Sequence, residues 1–336
     1  MAKVSVLIPL YNRKQYAEGC IGSVLKQTFN DFEIIIRDDC STDGVFEFVQ
    51  NNFRDSRIKL FRNDENIGEA ETLKLLIKDA AGKYLTILHN DDLYLPNALQ
   101  ILYETAEKFS ADVVHSSTAL NFGTPLTKIH FDKSPVQKTE ILSNDLNLKF
   151  DEWFNGKIFR DLQYNIFSRK FVLDAGIFSD ISGWNLLVMS LNWIMKAEIL
   201  VKTPEICYIR RQNPYSQSTA HNTLDYEISQ RIEDFRKLDK FISSFDFFRN
   251  NDKLRYKIKA RVFGSYESLS FDDSPSYGDE SFVNLYNSIE NTFRKYFGDD
   301  AVYLAMMYHW AHLMHFNQNK LNEHLQECIK LLDRKI

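Results

Sequence analysis

Three polar clusters, each closing a short apolar run, carry the residue types from which chemistry is built: Pro9-Leu10-Tyr11-Asn12, Asp38-Asp39-Cys40-Ser41-Thr42-Asp43 and His89-Asn90-Asp91-Asp92. Adjacent carboxylates repel one another, so crowding them costs stability unless a cation or a donor-rich ligand shares the site. A divalent metal bridged by a diphosphate meets that need, because Mg2+ and Mn2+ bind through one or two carboxylates plus phosphate oxygens rather than an all-protein cage. Taken singly, Asp38-Asp39-x-Ser-Thr-Asp also reads as a helix cap with an acidic first turn, and Asn90-Asp91-Asp92 as a polar turn ahead of a helix. Recurrence of the pattern at successive strand ends favours one shared pocket. G-x-G-x-x-G and G-x-x-x-x-G-K-[ST] are both absent, which removes the dinucleotide cradle and the P-loop.

The elements that must hold these clusters alternate between β-branched runs and helix-period segments over the first 120 residues, the pattern of a parallel sheet with crossover helices. Residues 4–9 and 32–37 read as strands, and between them Tyr16, Cys20, Ile21, Val24 and Leu25 recur at helical spacing. Further along, 45–52 is expected as a helix, 58–61 as a strand, 70–80 as a helix and 84–88 as a buried strand. Pro96 then opens a helix reaching 109, and 112–116 is another strand. In such a sheet ligands sit beyond the carboxyl ends of the strands, so all three clusters share one edge. Residues 121–150 weaken into Gly, Pro, Thr and Lys mixtures, read as a long excursion over the sheet where an acceptor is held. Structure returns at 165–176 and 184–197. From about residue 223 helix-period segments recur at 226–245, 252–263, 281–297 and 301–336. The division is therefore 1–222 for the α/β part and 223–336 for a helical C-terminal region, which shapes the acceptor site or makes an oligomer or membrane-surface contact.

The chain of 336 residues is 44% apolar and 14% aromatic, enough to bury a large core. Its 41 basic against 46 acidic side chains give a net charge of −5 and no basic arm, which argues against a nucleic-acid partner. Cys20, Cys40, Cys207 and Cys328 are scattered without a C-x-x-C pair, the usage of reduced thiols. No leader pattern precedes the first strand, and the most apolar window, 184–195, is too short to span a bilayer. A cytoplasmic protein is expected, with peripheral contact at the inner membrane face as an option. His309, His312 and His315 lie three apart without H-E-x-x-H and read as helix packing rather than a metal site. Phe241, Phe245, Phe247 and Phe248 beside Lys237 and Lys240 read as core packing, with a membrane-surface patch or a homo-oligomer contact as the other options.

Five segments in order, Val4-Ser5-Val6-Leu7-Ile8-Pro9-Leu10-Tyr11-Asn12, Ser23-Val24-Leu25-Lys26-Gln27-Thr28, Phe32 to Asp43, Asn66-Ile67-Gly68 and Gly82 to Asp92, resemble the family 2 glycosyltransferases of the GT-A fold. The resemblance implies an α/β fold of GT-A type, Rossmann-like, with a mostly parallel central sheet flanked by helices. It implies transfer of a sugar, with inversion, from a nucleotide diphospho-sugar, a UDP-sugar by preference, to an acceptor hydroxyl on a glycan, a lipid-linked saccharide or a protein. By that likeness Pro9, Tyr11, Asn12, Asp38, Asp39, Asn66 and Asp91 line the nucleotide-sugar site. Asp91 and Asp92 hold Mn2+ or Mg2+ on the diphosphate, with His89 as a further ligand candidate.

Two departures from the family pattern stand out. The usual Asp-x-Asp is His89-Asn90-Asp91 here, so its first carboxylate is missing. Asn185 stands about where the family places its catalytic base, and an amide cannot take a proton at neutral pH. Asp180 is the substitute candidate, with Asp161 behind it. The segment from Tyr208 to Ser218 resembles the family's final Tyr-Arg stretch and is read as a mobile loop whose Arg210 or Arg211 closes on the diphosphate. Transfer of another nucleotide-activated group, or a donor-binding scaffold without catalysis, are the alternatives.

Overall fold

The computed structural model describes residues 2–121, 129–131, 137–158, 162–178 and 186–211, with 237–238, 240–251, 254–255 and 258 further on. The chain divides into two compact units, Met1–Ala220 and His221–Ile336. In the first, β1 (Val4–Leu10), α1 (Lys14–Leu25), β2 (Phe32–Asp38), α2 (Val45–Asn52), β3 (Ile58–Arg62), α3 (Glu69–Asp79) and β4 (Tyr84–Ile87) follow the alternation read from the sequence. All seven residues of β1 are buried, as they must be in a strand covered on both faces, which is why it reads as a continuous apolar run rather than an alternating one. Pro9 is tolerated because β4 pairs only with Val4 to Leu7, so the missing N–H faces a point beyond the neighbour's end. Tyr16, Ala17, Cys20, Ile21 and Val24 form the buried stripe of α1.

Strand order is β3-β2-β1-β4-β9-β6-β10-β5, where β5 is Leu93–Tyr94, β6 Val113–Asn121, β9 Asn165–Ser168 and β10 Leu200–Arg211. The first four strands are parallel. Beyond them the sheet is mixed: β9 runs antiparallel to both β4 and β6, while β10 pairs parallel with β6. The helix expected from Pro96 starts at Ala98 instead, as α4 (Ala98–Phe109), because β5 and the turn after it take the intervening residues. The expected excursion over 121–150 contains regular structure: β7 (Ile129–Phe131) pairs with β6, β8 (Glu140–Leu142) pairs with β10, and α5 (Leu146–Phe154) follows. Then come α6 (Arg169–Asp174) and α7 (Leu186–Lys196).

The amino-terminal edge of the sheet is fixed by a buried polar knot. Ser5 Oγ donates to Glu33 Oε1 at 2.6 Å, and the N–H groups of Ala81 and Gly82 donate to Glu33 Oε1 and Ser5 Oγ at 2.8 and 2.9 Å. A Cβ on Gly82 would stand 2.6 Å from the Ser5 backbone nitrogen. A second buried group ties α5 to the far side. Lys202 Nζ pairs with Glu152 Oε2 at 2.6 Å and Glu140 Oε2 at 3.0 Å, and His115 Nδ1 lies 2.8 Å from Asn165 Oδ1. Burial, with Lys202 nearby, drives the His115 imidazole down to about 4.

Of the second unit, Phe241, Phe245 and Phe248 pack against one another with ring centroids 5.6–6.0 Å apart; Phe248 is fully buried, and Phe241 and Phe245 are half-buried. The helical segments expected after 258, and His309, His312 and His315, lie outside the described residues. Among the described residues no helix is long and apolar enough to cross a membrane.

Two outcomes follow. Gly82→Ala should lower unfolding stability by about 2 kcal/mol in urea denaturation, since the close atoms belong to rigid backbone. His115 is neutral when folded and ordinary when unfolded, so protons bind the unfolded chain first. Its contribution is complete above the unfolded value of about 6.5 and is lost as pH falls toward 4. Between pH 7 and 4 the parent should lose about 3 kcal/mol more than His115→Asn, read from denaturant midpoints at each pH.

Candidate active site

Because β1, β2 and β4 are parallel and in register, their carboxyl ends deliver the three polar turns to one edge. The turns are bonded to one another. Asn12 N–H donates to Ser41 Oγ at 2.8 Å, its Oδ1 accepts Thr42 N–H at 3.0 Å, and its backbone oxygen accepts Asn90 Nδ2 at 3.0 Å. Among the described residues only Asn12, Arg13, Cys40 and Ser110 have positive φ without being glycine. Three of these four belong to the turns, so local backbone strain is concentrated at this edge.

Asp38 is fully buried, and its carboxylate accepts both the hydroxyl and the N–H of Ser41, with Arg62 Nε 3.2 Å away. Burial raises its pKa, with Ser41 and Arg62 opposing. Asp39 Oδ1 accepts Ile67 N–H and Asn63 Nδ2, both at 2.9 Å, and its Oδ2 accepts Gly68 N–H at 2.8 Å. Gly68 precedes α3 with φ 83°, a conformation glycine adopts without cost, so Asp39 supplies the anion that the helix start needs. Asn66 Oδ1 also accepts Gly68 N–H, at 3.1 Å. Tyr11 is exposed beside this pocket.

In the third turn the two acids differ. Asp91 Oδ2 receives Arg13 Nη1 at 2.7 Å. Asp92 has both oxygens engaged from β10: Oδ2 by the Tyr208 hydroxyl at 2.5 Å and Oδ1 by Arg211 N–H at 2.7 Å. Burial and the neighbouring Asp91 charge push the Asp92 carboxyl up to about 6. Tyr208 is itself wedged edge-on between Tyr94 and Tyr164, which fixes the donor. His89 Nε2 lies 2.9 Å from Glu69 Oε1. Burial disfavours its charged form, yet Glu69, Asp92 and Asp91 together lift it to about 9.

The expected metal ligands therefore part company. Among the described residues no group of three or more His, Cys, Asp and Glu is arranged to hold a cation. The Asp91 carboxylate, held by a flexible arginine next to a second acid of raised pKa, fits a cation that takes one carboxylate and completes its shell with phosphate and water. Asp92 bonds Tyr208 and the Arg211 N–H, and His89 lies against Glu69. Arg210 and Arg211 stand at the end of β10, not on a loop, and the Arg211 guanidinium lies 4.6 Å over the Tyr16 ring. Asp161, Asp180, Asn185 and the rest of the Tyr208 to Ser218 segment after Arg211 lie outside the described residues. Arg13, Glu69 and Tyr208 are the residues sequence reasoning left without a role. The hint for Arg13 was a cation directly following Asn12.

Comparison with known proteins decides the family, because the model described as "Glycosyl transferase family 2" matches residues 5–173 of the 336. The chain belongs to glycosyl transferase family 2. This family 2 chain is 31% identical over 172 residues to the Campylobacter jejuni GalNAc(5)-diNAcBac-PP-undecaprenol beta-1,3-glucosyltransferase, covering 51% of the chain and 54% of the relative. Over 98 residues it is 37% identical to the Escherichia coli UDP-Glc:alpha-D-GlcNAc-diphosphoundecaprenol beta-1,3-glucosyltransferase WfgD, covering 29% and 38%. A Rickettsia conorii glycosyltransferase of unassigned role is 42% identical over 115 residues, but only 19% of it is covered, and the match spans less than two thirds of each of these relatives. The crystal structure of Staphylococcus aureus TarS 1–349 in complex with UDP-GlcNAc superposes with a TM-score of 0.63 at 16% identity over 90% of both chains. That likeness establishes the GT-A fold.

Tyr208→Phe removes the donor to a buried carboxylate oxygen and should cost about 2 kcal/mol of stability. Chemical denaturation of the variant beside the parent measures it; an unchanged midpoint would mean that Asp92 does not depend on Tyr208.

Proposed function

We propose that the chain is an inverting glycosyltransferase that moves a hexosyl or hexosaminyl unit from a UDP-sugar to the hydroxyl of a lipid-linked saccharide. The observation that carries this reading is the junction of three turns at the strand ends, in which Asn12 bonds both other turns, Asp39 holds the start of α3 and Asp91 meets Arg13. TarS has been crystallised with UDP-GlcNAc and with UDP, and two relatives are named for undecaprenyl-diphosphate-linked substrates, which supports both halves of the reading. Action on such an acceptor would place the protein at the inner face of the membrane.

In this reading Tyr11 stacks on the base, Asp39 and the backbone around Asn66 to Gly68 bound the nucleoside recess, and Asp38 supports it from beneath through Ser41. Asp91 would hold Mn2+ or Mg2+, whose charge offsets the charge developing on the departing diphosphate. Asp92 acts through others: by gripping Tyr208 and Arg211 it positions the turn that carries Asp91. Deprotonation of the attacking hydroxyl falls to Asp180, with Asp161 behind it. A carboxylate on the face opposite the leaving group gives one-step inversion.

A thermal-shift screen of UDP-, GDP-, dTDP- and CMP-sugars with and without Mn2+ tests the donor. Ligand at a hundred times its Kd stabilises the folded state by about 2.7 kcal/mol. The UDP-sugar with Mn2+ should raise Tm most, and Asp91→Asn should abolish the Mn2+-dependent part while leaving the uridine-dependent part. No shift with any of the four donors would sink the proposal.

A further inference from the structure

Arg13 is the residue whose placement the donor site does not yet explain. Its backbone is left-handed at φ 62°, an unfavourable state for a residue that carries a Cβ, and it sits immediately before α1 with its side chain sent across to the third turn. There a single guanidinium nitrogen meets Asp91 Oδ2 at 2.7 Å. Among the described residues no other protein group takes up the rest of that guanidinium, and the side chain keeps 23% of its exposure while Asp91 keeps 9%. The neighbouring acids do not share this arrangement: Asp39 is bound by Asn63 and two backbone N–H groups, Asp92 by Tyr208 and Arg211 N–H. Arg13, by contrast, reaches Asp91 with one nitrogen and has donors to spare, and Asp91 is also the carboxylate that fits a metal.

We infer that Arg13 binds the diphosphate of the donor, and that in the donor-free protein it occupies the carboxylate the metal would use. The inference rests on the nucleotide-sugar reading above. The planar fork presents parallel N–H groups to an anion, a geometry matched by two phosphate oxygens and not by a single-point ammonium. A cation held by Asp91 would repel the guanidinium, and the diphosphate bound with that cation would offer Arg13 a new partner. Scission of the sugar–phosphate bond leaves about one more negative charge on the diphosphate. Arg13 therefore grips the departing UDP more tightly than the intact donor, which is the direction catalysis requires.

Isothermal titration of the full chain with Mn2+ alone, with uridine, and with UDP plus Mn2+ separates the parts, using the parent, Arg13→Gln and Arg13→Lys. Arg13→Gln should bind Mn2+ alone several-fold tighter, because the competing guanidinium is gone from Asp91, and UDP with Mn2+ about tenfold weaker, with uridine unchanged. Arg13→Lys keeps the charge and the fold but not the fork; it should match the parent for Mn2+ alone and lose a few-fold for UDP. Equal UDP affinity in all three proteins, with the parent binding well, overturns the role of Arg13 and leaves the donor reading standing. A parent that binds uridine nucleotides not at all overturns the donor reading and this inference with it.

Discussion

Mutual repulsion among carboxylates at the carboxyl edge of the sheet is the constraint to which the rest of the first unit answers. Asp38, Asp39, Glu69, Asp91 and Asp92 gather there, most of them buried, where each unpaired charge would be costly. The fold supplies each with its own donor: Ser41 and Arg62 for Asp38, a helix start for Asp39, His89 for Glu69, Arg13 for Asp91, and the end of β10 for Asp92. Long-range elements are arranged to deliver those donors. Strand β10 lies 116 residues from Asp92 in sequence and reaches it because β6 and β5 hold it in the sheet.

The compensation is uneven, and the unevenness has chemical meaning. Burial alone would leave Asp92 hard to ionise, and a carboxyl poised near 6 beside Asp91 marks a place where additional positive charge is welcome. His89, where the family pattern has a carboxylate, brings positive charge into the cluster, and Glu69 brings the negative charge back from α3. A charged His89 paired with Glu69 adds no net charge to the cluster, where a carboxylate at position 89 would add one negative charge.

Much of this was legible from the chain alone. Strands β1, β2 and β4 announce themselves because burial on both faces demands unbroken apolar runs, and the turns after them are rich in residues that favour turns. The region 121–150 was not legible, since β7 and β8 are three residues each and exist only through their pairing with β6 and β10. Tyr208 to Arg211 read as a basic loop because two arginines outweigh the local pattern, yet pairing with β6 along nearly its whole length makes β10 a strand. At the site the acids could be picked out by position. Their partners could not, because Arg13 and Asp91 are 78 residues apart and nothing local in either turn names the other.

The knot of Ser5, Glu33 and Gly82 has a consequence for how the molecule can accommodate a visitor. With a backbone nitrogen already where any side chain on Gly82 would stand, β1, β2 and β4 have no freedom to slide or splay at their amino ends. Adjustment to a ligand is then expected at the opposite rim, in side-chain torsions such as those of Arg13. Rotamer exchange of exposed side chains runs in picoseconds to nanoseconds, far faster than the hinging of whole elements.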